Sequence, residues 1–474
     1  MSVFSTHTLI FLLLTAFAGQ LLPRRLRPFL LLAASILFYA LIQPRYLPML
    51  LLSCVAVWAL GRHMERLPRS ARKSWLIGGI TIVTAPLLVF KYTNLFIQTL
   101  SDLLNWNLSP VRLLAPLGIS FFTFRMISYL VDVSGARCKA EPSLFFLTLH
   151  LTWFPQILAG PIERSKDLLD QLKNPAQPDL DRALRRILAG LLKKLVIAER
   201  LAVFVDPVFR DPAAYAGINL IFAAVFFYLQ IYCDFAAYTD LAVGVSELLG
   251  IRSKENFNHP LASRSISEFW RRWHITLSFW LRDYIFLPFS YSLLRRTDKW
   301  RRRAAELSVY ALATTVTMFV AGLWHGAGWN FVIWGLLHAF FMIFSHLSKR
   351  TRKRLRRYLG LQKRAAVNAS LQWTSTFLLL TLSWIFFRAG SVAEALNYLG
   401  HIRLGLTGSG WVHLGFTLSF AAAFALWEWG SGKGLWRRLL PEAAPVRVVL
   451  FALALCVLIV FSVDTTNEFI YFRF

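Results

Sequence analysis

The chain has 474 residues, 56% of them hydrophobic, with 40 Phe and 17 Trp, and its mean hydropathy is +0.51. Such a composition excludes an ordinary soluble domain and leaves room for many membrane spans. The formal net charge of +27 falls in short Lys/Arg blocks between apolar runs rather than along one basic face, so it reads as a topology signal and argues for no nucleic-acid partner.

The apolar runs have helix length, and the alternating ten-residue segments of an outer-membrane barrel are missing, so the fold class is an all-α polytopic membrane protein. One domain over residues 1–474 is the simplest division, and the lack of internal repeats weighs against an inverted-repeat transporter. Cys54, Cys138, Cys233 and Cys456 are widely separated and give neither a disulfide framework nor paired metal ligands. No metal site and no tightly bound cofactor is expected.

Residues 7–22 read as a retained first span, because the basic group Arg24, Arg25 and Arg27 follows the apolar run. Spans near 27–43, 45–61 and 75–91 come next, with Arg62, Arg66, Arg69, Arg72 and Lys73 in a second basic loop. Positive loops alternating with poor ones put the N-terminus outside and the loops at 23–27 and 62–74 in the cytoplasm. Residues 92–112 read as an outer-face segment. Within the apolar run 114–133, Arg125 lies too deep for its stem to reach water and is expected to be a buried partner. Pro155 should kink the apolar segment 144–160, ahead of a turn formed by Pro161, Ile162, Glu163 and Arg164. Residues 180–202 place Arg185, Arg186, Lys193 and Lys194 between apolar residues at helical spacing, the pattern of a basic amphipathic helix on an anionic membrane face.

The run 218–250 is one long span or two joined ones. Gln230, Asp234 and Tyr238 recur on one helix face at steps of four, with Asp240 pointing elsewhere. Carboxylates at that depth either serve function or glue helices together. Residues 265–288 open with a capping box of Ser265 and Glu268, so a helix starts there. Its Arg271, Arg272, Arg282 and Asp283 are too many charges for a span, and a short re-entrant or interfacial helix bearing His274 fits better. After a basic loop at 295–303 come a span at 306–323, a histidine-bearing turn, a helix to about residue 347 and the most basic loop, 349–364. Spans near 371–388, 413–430 and 446–462 complete a set of roughly ten to twelve membrane-embedded helices.

For His150, His338 and His346 a neutral, fully hydrogen-bonded imidazole suffices. His325 differs, because Gly322, Gly326 and Gly328 surround it and Trp324, Trp329 and Trp334 share its stretch. That spacing describes a pocket wall approached by a ligand, or plain helix packing.

Several stretches then resemble, in the same order, the membrane-bound O-acyltransferases, in the bacterial branch that acts on alginate and teichoic acids. They are PLGISFFTFRMISYLVDV at 116–133, FPQILAGPIER at 154–164, YLQIYCDFAAYTDLAVG at 228–244, NFNHP at 256–260, SISEFWRRWHITLSFWLRDYIFLP at 265–288, GLWHGAGWNFVIWGLLHA at 322–339 and the closing FIYFRF. A collinear set of this kind is more specific than one motif. Where alginate-type sequences tend to carry a glycine pair after the LRDY stretch, this chain has Pro288, Phe289, Ser290 and Tyr291.

The resemblance implies helices around a transmembrane tunnel, with His325 catalytic and His274 beside it. Trp324, Asn330, Arg272, Asp234 and Tyr238 are further candidates for the tunnel lining. It also implies acetyl-CoA as donor, residence in the bacterial cytoplasmic (inner) membrane, and a periplasmic or membrane-tethered serine-hydrolase-like acetyltransferase as partner. D-alanyl transfer to teichoic acid is the alternative within the family. A transporter or channel would instead put Arg125, Asp234 and Asp240 in a solute path, and a scaffold would dock an acyl-transfer partner through its basic face.

Overall fold

A computed structural model describes residues 6–215, 217–296, 302–402, 411–435, 444–462 and 470. Helices dominate, and no β-strand forms among the described residues. Six helices there are long and apolar enough to cross a membrane: Pro44–Arg66, Arg69–Leu104, Gly217–Leu248, Ala304–His325, Trp329–Leu347 and Ala365–Arg388. Three shorter apolar helices join them, Ile10–Leu21, Arg27–Ile42 and Pro445–Phe461. The chain is an all-α, multi-pass membrane protein. Most of the closing FIYFRF and the middle of the basic loop at 295–303 lie outside the described residues.

Packing divides the chain into two compact units. The first comprises Met1–Gly190, Tyr238–Glu255 and Tyr471–Phe474. It opens with α1 (Thr6–Leu21), α2 (Arg27–Ile42), α3 (Leu47–Arg66) and α4 (Arg69–Leu87). The last of these runs through a π-helical turn, Leu88–Tyr92, into α5 (Thr93–Leu104), where the sequence suggested a separate outer-face segment. Pro86 lies inside α4 and cannot donate to the helical ladder, and a wide turn two residues later lets the helix continue. Helix α6 (Ile119–Ser134) packs on α3 and α4. Helix α7 (Leu144–Thr152) ends before Pro155 instead of kinking at it, as the steric demand of proline on the preceding residue favours.

Arg125 on α6 is buried, as its position in the apolar run predicts. Its Nη2 donates to Gln156 Oε1 (2.8 Å) and the Pro161 carbonyl (3.3 Å), and Gln156 Nε2 donates on to Glu163 Oε1 (2.8 Å) and Ser253 Oγ (2.8 Å). Glu163 is buried too, so a cation and a carboxylate share one glutamine-bridged network. His150 Nε2 meets Ser165 Oγ at 3.0 Å, but its buried Nδ1 has no partner among the described residues, so the ring is only half satisfied, against the fully hydrogen-bonded expectation. The last helix of this unit that concerns the charges is α8 (Leu180–Leu191), whose Arg186 pairs with Asp240 (2.7 Å) and with Glu255.

The second unit comprises Leu191–Ala237 and Asn256–Ile470. It holds a π-helical stretch, Leu192–Ala198, then α9 (Glu199–Arg210) and the first part of α10 (Gly217–Leu248), which is one unbroken helix of 32 residues. Lys194 Nζ lies 2.7 Å from both Glu199 Oε1 and Asp234 Oδ1, all three side chains being buried. The Ile470 N–H donates to the other Asp234 oxygen (2.8 Å).

Residues 180–202 therefore do not spend all their cations on the membrane surface. Lys194 and Arg186 turn onto Asp234 and Asp240, while Arg185 pairs with Asp181 in the open and Lys193 lies over the Trp427 ring. A buried carboxylate without a counter-charge costs several kcal/mol, and that cost selects the inward arrangement.

The remaining helices that frame the site are α11 (Ile266–Arg272), α12 (Ile275–Leu281), α13 (Arg302–His325), α14 (Trp329–Leu347) and α15 (Ala365–Arg388). Helices α13 and α14 form the most extensively packed pair, and α14 packs in turn on α15.

Candidate active site

Helix α13 terminates at His325, and Gly326, Ala327 and Gly328 turn the chain into α14. The glycines explain the tight hairpin. A Cβ on Gly322 would stand 2.4 Å from the Phe331 carbonyl oxygen, and one on Gly335 would stand 2.2 Å from that of Met318, so the two backbones touch. What the glycines admit here is the neighbouring helix.

His325 is buried, with three rings edge-on to its imidazole. Trp324 lies 4.9 Å away, Trp334 4.9 Å and Phe387 5.3 Å between centroids, at interplanar angles of 84°, 83° and 72°. The walls come from α13, α14 and α15.

His274 arrives from the segment read as a re-entrant helix. The Ser265 half of the capping box forms, its Oγ accepting the Glu268 N–H (3.1 Å), while Glu268 Oε2 reaches one residue beyond the cap to accept from the Arg264 N–H (2.9 Å). The helix does not run through, however. It stops at Arg272, and His274 adopts a left-handed backbone (φ 40°, ψ 53°) before α12 begins. A non-glycine residue there stores on the order of 1–3 kcal/mol, a cost that clusters at functional sites.

The imidazole of His274 is held by a residue that periodicity did not single out. Asn256 Oδ1 accepts from the Thr276 N–H (3.2 Å) and the Thr276 hydroxyl (2.8 Å), and lies 3.2 Å from His274 Nδ1. A backbone N–H can only donate, which fixes this Asn256 atom as the oxygen. His274 Nδ1 then carries the proton, and Nε2 presents its lone pair. Phe235 (4.7 Å) and Trp324 (5.6 Å) flank the ring. Trp324 thus touches both histidines.

Of the other residues picked from sequence, Trp324 stands in the site. Asn330 spends both amide hydrogens on carbonyls at the end of α15, those of Phe386 (3.3 Å) and Ala389 (2.8 Å). Arg272 pairs with Glu268 (3.0 Å) and donates to the Asn258 carbonyl (3.1 Å), steadying the loop that carries Asn256. Asp234 is bound to Lys194, and Tyr238, in the first unit, donates to the Pro155 carbonyl (3.3 Å). His338 accepts from Trp270 Nε1 (3.3 Å) and meets Ser383 Oγ (3.1 Å), satisfied as expected. The roles of Asn256, Phe387 and Trp384 were missed. The only sequence signal for Asn256 was its place in the NFNHP stretch.

Comparison with known proteins extends these observations. The model of the membrane-bound O-acyltransferase family matches residues 83–388. A probable alginate O-acetylase, AlgI, of Pseudomonas aeruginosa is 34% identical over 406 residues, covering 83% of this chain and 73% of the relative. The peptidoglycan O-acetyltransferase of Helicobacter pylori is 32% identical over 419 residues, covering 81% and 75%. The teichoic acid D-alanyltransferase of Bacillus subtilis is 31% identical over 241 residues, covering 49% and 59%.

Proposed function

We propose, for a chain that belongs to the membrane-bound O-acyltransferase family and is therefore an O-acyltransferase, that it moves an acetyl group from cytoplasmic acetyl-CoA across the bacterial inner membrane toward an exported polysaccharide. The observation that carries this reading is the pair of buried histidines sharing Trp324, with relatives named as O-acetylating enzymes aligned over most of the chain. D-alanyl transfer has weaker support, because the teichoic acid relative aligns over only 49% of the chain.

In this reading His325 is the general base. It takes the proton of an acceptor hydroxyl as that oxygen attacks the thioester carbonyl. A C–O bond forms, the C–S bond breaks, and the departing thiolate recovers the proton from the imidazolium. An imidazole acting as general base does this without a metal. His274, locked in one tautomer by Asn256, also contacts Trp324 and positions the reacting groups. The hydroxyl belongs to a partner, a periplasmic or membrane-tethered serine-hydrolase-like acetyltransferase that hands the group on to the polymer. The test is His325-dependent release of CoA from acetyl-CoA by the full chain in lipid nanodiscs with that partner present. Equal release by His325→Ala would sink the mechanism, and solute flux without an acyl donor would favour a transporter.

A further inference from the structure

Behind the rings that face His325 lies a second layer of donors. The Trp384 ring centroid is 5.2 Å from that of Trp273, 5.6 Å from Trp334, 6.0 Å from Tyr228 and 5.1 Å from Phe387. Trp334 and Phe387 are themselves in contact with His325. Trp273, Trp334, Trp384 and Tyr228 are completely buried. Their three indole N–H groups and one phenol oxygen have no hydrogen-bond partner among the described residues.

Buried Trp153, outside the cluster, also has an indole N–H with no partner among the described residues, so what sets the cluster apart is the contact between its rings. Trp270, in contact with Trp334, donates to His338, and Trp58 and Trp373 donate to carbonyls of Pro142 and Leu261. An indole N–H cannot accept, so only an incoming acceptor can satisfy it. Each buried donor left unpaired costs about 1–3 kcal/mol. Three of them stand in a row of contacting rings, Trp273, Trp384 and Trp334, that ends at the proposed base. The site they make is rich in donors, and the rings around it are aromatic and uncharged. A phosphate or carboxylate would demand a cation there, whereas a neutral carbonyl would not.

We propose that the indole N–H groups of Trp334 and Trp384 hold the carbonyl oxygen of the acyl donor beside His325. The inference rests on the acyl-transfer reading above. When the acceptor oxygen adds to the carbonyl carbon, the C=O π pair moves onto that oxygen, and the indole hydrogen bonds strengthen with its charge. The pair returns to re-form C=O as the C–S bond breaks and the thiolate leaves.

Trp334→Phe and Trp384→Phe keep the ring and delete the donor. Two probes separate carbonyl recognition from packing: acetonyl-CoA, a stable ketone, and S-propyl-CoA, which has a methylene in place of that carbonyl. The full chain in nanodiscs should bind acetonyl-CoA about tenfold more tightly, and each variant should lose this preference while S-propyl-CoA affinity stays within about twofold. CoA release with the partner present should fall about 10²-fold in kcat, and KM for acetyl-CoA should rise by up to about tenfold as the ground-state contact is lost. If a phenylalanine variant fails to fold, 3-benzothienylalanine at position 334 removes only the N–H and gives the same readings. A preference that survives in both variants, or that the wild type never shows, overturns the proposal and leaves the indoles to structural water. Wild-type protein that releases no more CoA than His325→Ala overturns the acyl-transfer reading itself, a separate result.

Discussion

Two kinds of buried polarity meet inside the same apolar chain. Around Asp234, Asp240 and Glu163 the polarity is ionic, and each carboxylate has a cation or a hydrogen-bond relay from one at hand: Lys194, Arg186, and Arg125 through Gln156. Around His325 it is carried by imidazole and indole groups among aromatic walls. The difference separates what holds helices together from what does chemistry. A paired charge has already spent its electrostatic energy on its neighbour, whereas an imidazole with a ring nitrogen to offer can still exchange a proton with a substrate.

The sharpest test of that division is His325→Ala, expected to lower acyl transfer by about 10²–10⁴-fold while leaving the detergent melting temperature near wild type. The opposite profile is expected for Lys194→Met. It strands two buried carboxylates, Asp234 and Glu199, and should destabilise the fold by about 3–5 kcal/mol, read from thermal unfolding at matched lipid content. Should its kcat per folded molecule collapse as well, the ionic region would join the site and the comparison would break. Asn256→Ala is intermediate: it releases the His274 tautomer and should cost roughly tenfold in kcat, with His274→Ala no milder, less than the loss of a general base. An unchanged rate and KM for His274→Ala would assign that residue to structure. The smallest effect is reserved for Asp234→Asn, which keeps an oxygen for the Ile470 N–H and should lower stability by about 1–3 kcal/mol with transfer per folded molecule unaltered.

Apolar length made the spans at 45–61, 306–323 and 371–388 legible, because a membrane helix must satisfy its backbone internally and so writes itself as an unbroken run. The collinear motifs pointed to His325 and His274 in the same way. Backbone detail was hidden. The π turn at Leu88–Tyr92 and the left-handed His274 depend on contacts made by residues elsewhere in the chain. Partner choice was hidden too. Lys194 and Asp234 were each conspicuous, but 40 positions separate them, and amphipathic spacing alone assigned Lys194 to the membrane surface. Asn256 was quoted within a motif and given no task, since a single amide gains meaning only when a fixed donor such as the Thr276 N–H shows which of its atoms faces the ring.

The glycine contact between α13 and α14 has one more consequence. Side chains can trade rotamers to absorb a neighbour's change, but two touching backbones have no such slack. A methyl group at Gly322 or Gly335 would force the helices apart by about an ångström, and displacements of that size in a reacting group are worth about 10²-fold in rate. A saturation scan should therefore return both positions as intolerant although neither touches a reacting atom, a pattern easily mistaken for direct participation. The hairpin acts as a gauge block, setting where His325 stands by the thickness of two bare peptide chains.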